Sequence, residues 1–75
     1  MSKLPILTAF KLSRIFLKSG FILKRSSGSH HTFYNSETKH IVTIPMHRGR
    51  DLGRGITKAI ILDAGFTEKE FLKLI

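Results

Sequence analysis

There is no cysteine in this chain, so neither a disulfide staple nor a thiolate-held metal is available to it. That suits a reducing compartment, and the cytoplasm is the expected location. Tryptophan is absent too, and acids are scarce. Five Asp and Glu stand against thirteen Lys and Arg, a formal charge of +8. The first acid is Glu37, which leaves Lys3, Lys11, Arg14, Lys18, Lys24 and Arg25 unopposed before it. No apolar run approaches the roughly 20 residues that cross a bilayer. The opening stretch MSKLPILTAFKLSRIFLKSGF is broken by Lys11, Arg14 and Lys18 and carries no small-residue cleavage site, unlike a secretory signal. No membrane partner is expected.

What remains is a short basic chain. Its 75 residues are expected to form a single domain, residues 1–75, burying only about 60% of the surface of the unfolded chain. Much surface is therefore left for a partner. The cation surplus favours a polyanion, because each cation set against a phosphate releases condensed counterions. Solubility alone is the plainer account of the same charge. The cations are spread along the chain rather than gathered beside one apolar helix, which disfavours an acidic membrane surface.

Thr8 is placed to cap a helix running to Ser19, with Gly20 suited to the left-handed position after it. Leu12, Ile15, Phe16 and Ser19 share one face at helical spacing, while Phe10 and Leu17 fall off it. Three strand-like segments follow: Phe21–Arg25, His30–Asn35 and His40–Met46. Ser26–Ser29 and Ser36–Lys39 have the composition of hairpin turns, and Pro45 fits only near a strand end. Ile56, Ala59 and Ile60 recur at helical spacing before Gly65. Thr67 and Glu70 then form a capping box for a last short helix. The order α-β-β-β-α, plus a short C-terminal helix, predicts an α+β fold: a three-stranded antiparallel sheet packed on helices.

The chemistry gathers at SSGSHHTFY, residues 26–34. Of four histidines, His30 and His31 are adjacent and follow a turn of small residues. Zinc is not expected, since there is no thiolate, no H-E-x-x-H spacing and few carboxylates. Proton transfer on a phosphodiester suits these residues better. Imidazole has an unperturbed pKa of about 6.5 and so both takes and gives a proton near neutrality. RNA brings its own nucleophile, the 2′-hydroxyl. Gly28 and Ser29 offer N–H groups and a hydroxyl to phosphate oxygens without bulk, and Lys24 and Arg25 would add positive charge across the turn. His30 and His31 point to opposite faces of a strand, so only one of them is expected to act on a given atom. Residue types alone do not say which, and both also suit a plain polar turn. His47, after Pro45 and beside Arg48, is expected to approach the same turn as a second proton partner or phosphate ligand, or else to be an exposed loop residue. His40 opens its strand at the far end of the sheet and is not expected to take part.

With these residues in view, the chain resembles the HicA-type mRNA interferases, also called the YcfA-like family. Lys3-Leu4-Pro5, Lys18-Ser19-Gly20-Phe21, Gly28-Ser29-His30-His31, Pro45 with His47, and Ile60 through Gly65-Phe66 fall in family order. Gly55-Ile56-Thr57 departs from the family's usual Gly-Thr-Leu. The resemblance implies a fold like a double-stranded-RNA-binding domain and metal-independent RNA cleavage without a cofactor. By position it implies His31 as the catalytic residue, with His30 auxiliary. It further implies a HicB antitoxin that covers the histidine and the basic surface. Two other readings stand beside it. One is a basic module like a double-stranded-RNA-binding domain that holds RNA without cutting it. The other is a protein-interaction domain meeting an acidic partner through Phe10, Leu17 and the arginines of residues 48–54.

Overall fold

Thr8 caps the first helix as its position predicts: its Oγ1 accepts from the Lys11 N–H at 3.2 Å, and the chain is extended at Thr8 itself. In the computed structural model, which describes residues 4–47 and 50–75, α1 covers Ala9–Lys18. It ends at Gly20, whose φ of 100° lets the Phe21 N–H reach back to the Phe16 carbonyl, 3.0 Å away. That return bond brings the two rings to 5.0 Å, so the helix stop and a core contact form together. The buried face is Ala9, Leu12, Ser13 and Phe16. Ile15 and Ser19, expected on it, are half-buried at its flank.

Three antiparallel strands follow in the order β2 (Ile22–Ser27), β3 (His30–Tyr34) and β4 (Ile41–Pro45). The first turn is tighter than expected. Ser26 and Ser27 belong to β2, and only Gly28 and Ser29 lie between the paired residues Ser27 and His30. Gly28 has φ 57° while Ser29 has none of the positive φ that a type I′ turn requires, which is the II′ pattern with glycine first. The second turn, expected at 36–39, is wider by one residue on each side, since β3 stops at Tyr34 and β4 begins at Ile41. The Asn35 side-chain oxygen accepts from the N–H groups of Glu37 and Thr38, and Asn35 N–H donates to the His40 carbonyl.

Phe33, Val42 and Ile44 face the helices and are almost fully buried. Helix α2 (Arg54–Asp63) packs on β4 and ends in the same way as α1. The Phe66 N–H returns to Ile61 O, and Gly65 has φ 88°. Its buried residues are Thr57, Ile60 and Ile61. Ile56 and Ala59, expected inward, lie exposed because the helix is turned to seat Thr57 and Ile61 instead. Helix α3 (Glu68–Leu72) begins with the complete capping box and sends Phe71 into the core. Phe16, Phe21, Phe66 and Phe71 form a cluster in which neighbouring ring centroids are 5.0 to 6.5 Å apart. Truncating a buried phenylalanine typically costs about 3–5 kcal/mol, so this cluster supplies much of what holds the layers together.

Leu7–Thr8 (β1) pairs antiparallel with Asp51–Leu52 (β5), tying the start of α1 to the start of α2. The result is the α-β-β-β-α arrangement of a double-stranded-RNA-binding domain, with helices on one face of the sheet. Across its thin axis it measures only 17 Å.

Candidate functional site

Strand alternation decides which residues can share a ligand. On β3, His31 and Phe33 point toward the helices, and His30, Thr32 and Tyr34 point to the open face. The His31 ring lies 6.5 Å from the buried Phe33 ring and is itself half-buried. Ile44 of β4 pairs with it on one side and Ser26 of β2 on the other. His30 is exposed, between Ser27 and Pro45. The two imidazoles therefore flank the end of one strand, one on each face.

The hairpin tip is bare. A Cβ added at Gly28 would meet nothing within 4 Å, so an approaching backbone finds no obstacle there. Met46 N–H donates to the Ser29 carbonyl, and the Met46 sulfur lies 3.5 Å from Ser13 Oγ, whose proton goes to the Ala9 carbonyl at 2.8 Å. This bond and this contact link the tip to the first half of α1. They also bring the backbone of exposed His47, the next residue, to the tip. Gly28, Ser29, His30, His31 and His47 thus gather at one end of the sheet. Arg48 lies outside the described residues, as does Lys3.

Lys24 and Arg25 do not join them on the His31 face. The ladder slips between Leu23 and Arg25, leaving Lys24 as an extra residue. Arg25 then pairs with Thr32, whose hydroxyl meets that of Thr43 at 3.2 Å on the open face. The Lys24 ammonium sits 4.9 Å above the Tyr34 ring, within cation–π range on that face as well. Both cations lie across the sheet from the imidazole they were expected to assist. Of the other basic residues, Arg50 is exposed, and Arg54 donates from Nε to the Leu4 carbonyl at 2.9 Å. His40 packs elsewhere, its ring against Gly65.

Chemically, the His31 ring has space and no fixed partner. Among the described residues nothing hydrogen-bonds to it, so both ring nitrogens remain available to a ligand. No cluster of three metal-ligating side chains occurs among the described residues, and none of their helices is long and apolar enough to cross a membrane. Sequence reasoning did not find Ser26 as the neighbour of His31, nor Met46 and Ser13 as the tie from the tip to α1. Only the pairing register reveals the first. The second had a weak signal in Ser13, a small polar residue next to the apolar face of α1.

Comparison with curated proteins found no match. Comparison with protein families found one described as "HicA toxin of bacterial toxin-antitoxin", matching residues 11–66, more than half of the chain and including the whole hairpin tip.

Proposed function

Since this chain belongs to the HicA toxin family of bacterial toxin–antitoxin systems, we propose that it is an mRNA interferase, a metal-independent RNA endonuclease acting in the cytoplasm until a HicB antitoxin neutralises it. His31 is the catalytic residue in this reading. It takes the proton of the ribose 2′-hydroxyl or gives one to the departing 5′-oxygen, and water carries the other transfer. As the O2′–P bond forms the P–O5′ bond breaks, leaving a 2′,3′-cyclic phosphate and a 5′-hydroxyl. Gly28, Ser29, His30 and His47 hold the flanking backbone, Lys24 and Arg25 hold more distant phosphates, and Arg48 contributes a further cation. No cofactor is required.

The observation that carries this reading is the half-exposed, unpartnered His31 ring beside a glycine turn with no side chain in the way. General acid–base help from one group is worth about 10²–10⁴ in rate. A lone imidazole therefore predicts a slow enzyme, which suffices for a toxin acting on many messages.

The test is incubation of the purified protein and its His31→Ala variant with a defined single-stranded RNA in EDTA. Cleavage by the parent alone, with cyclic-phosphate ends and RNA affinity retained in the variant, is the expected result. Ends carrying 5′-phosphate and dependent on Mg²⁺ would overturn the mechanism. A second reading, a basic RNA-binding module that does not cut, draws on the same missing partner, since nothing among the described residues orients the ring. It predicts no cleavage by either protein.

A further inference from the structure

Away from the hairpin tip, a groove of about 300 Å³ runs along the outer flank of α1. Its lining is aliphatic at Leu7, Ile15, Leu74 and Ile75 and basic at Lys11, Arg14 and Lys18 of the helix. Spacings of three and four residues bring these cations onto one strip of helix surface. All three are exposed, and α1 contains no acid. Among the described residues the one ion pair, Lys58 with Glu68 at 3.9 Å, lies elsewhere. The groove thus has an aliphatic floor that water covers poorly and a rim of unneutralised charge. Leu74 and Ile75 are 42% and 60% exposed.

We propose that this groove is an anchoring site for an acidic amphipathic segment of the antitoxin. Charge complementarity selects the occupant. Nucleic acid would satisfy the cations but leave the floor wet, because none of the lining residues is aromatic and bases need a ring to stack upon. An amphipathic helix with an aliphatic stripe and flanking Glu or Asp satisfies both, filling the floor with its i, i+3, i+4 side chains while its carboxylates meet the rim. None of His30, His31 and His47 lines the groove, nor do Phe10 and Leu17. The antitoxin would therefore hold the toxin here by a contact that does not touch the chemistry, leaving the rest of its surface to cover His31. This inference rests on the reading of the chain as a toxin with a protein antitoxin.

The experiment measures binding of the HicB-type antitoxin protein to the full chain, to an Arg14→Glu/Lys18→Glu variant and to Leu74→Ser. RNA affinity and RNA cleavage are measured on all three. Antitoxin affinity is expected to fall tenfold or more in the charge-reversed protein and severalfold in Leu74→Ser, with cleavage unchanged. Unchanged antitoxin affinity in both variants would overturn the proposal. So would a loss of RNA affinity in the charge-reversed protein with antitoxin binding intact, which would make the strip an RNA track. An antitoxin that fails to bind even the parent chain would instead overturn the toxin–antitoxin reading, and the occupant with it.

Discussion

Replacing Gly65 with alanine sets two separable costs against each other. The backbone at Gly65 has φ 88°, where an L side chain costs about 1–2 kcal/mol. The new Cβ would also stand 2.6 Å from Cε1, 2.8 Å from Nε2 and 2.9 Å from Nδ1 of His40. Ordinary carbon contacts begin near 3.5 Å, so the ring must retreat by about 1 Å or the α2–α3 link must move. Such overpacking typically costs about 1–3 kcal/mol. The sum, about 2–5 kcal/mol, is a large share of the roughly 4–11 kcal/mol available to a domain this size. At about 4–8 °C per kcal/mol, Gly65→Ala should lower Tm by about 8 °C or more, to be read by circular dichroism. The double variant with His40→Ala separates the causes. Removing the ring should return the steric part and leave the backbone part, so the pair should be more stable than the sum of its singles by about 1–3 kcal/mol. His40→Ala alone should cost little, because its Nδ1 is buried without a hydrogen-bond partner. Additivity within about 0.5 kcal/mol would refute the argument, since the ring would then not be what the new methyl meets.

Thr57 is fully buried in α2 with an unpartnered hydroxyl, so Thr57→Val should raise the urea midpoint, by about 1–3 kcal/mol in stability; a fall would mean that the hydroxyl is bonded. The Glu70 carboxyl is held below its ordinary value of 4.5, chiefly by the Thr67 N–H donating to it, then by the Thr67 hydroxyl and Lys73. Its depressed pKa makes the cap's contribution complete above that value and lost as pH falls through the folded one, so Glu70→Gln should flatten the acid side of a Tm-against-pH curve. An equally steep acid limb in the variant would count against this. Lys24→Ala with Arg25→Ala should weaken RNA binding and reduce the salt slope by up to about 1.4, two single-strand contacts at roughly 0.7 each, while sparing cleavage of bound RNA. His31→Ala should do the reverse, losing about 10²–10⁴ in rate with affinity kept, and a shared loss in both proteins would argue for one merged site.

Helix ends were legible because caps are local chemistry. Thr8 with Lys11 and Thr67 with Glu70 act over three residues, the Gly20 stop over the five from Phe16 to Phe21, and each stands where its residue type predicts. The phase of α2 was not legible in the same way. Ile56 looks like a better core residue than Thr57, and only docking against β4 reveals that the threonine is inside. The β1–β5 pairing joins residues more than forty positions apart through two short segments with no strand pattern of their own. Nothing local in the sequence marks it.

At the candidate site the same limit has a chemical consequence. Alternation alone correctly separates His30 from His31, since period two needs no knowledge of the partner strand. It misleads on the cations. With Leu23 opposite Phe33, an unbroken ladder would set Lys24 against Thr32 and Arg25 against His31, a guanidinium directly beside the imidazole. The extra residue at Lys24 moves every later pairing by one, so Ser26 takes that place and Arg25 turns to the open face. A small hydroxyl in place of a long cation leaves the half-buried ring accessible from the hairpin side. In the proposed reading, the cations on the open face and the imidazole on the helical face suit a flexible single strand of RNA that passes over the bare Gly28–Ser29 tip of a body 17 Å thick.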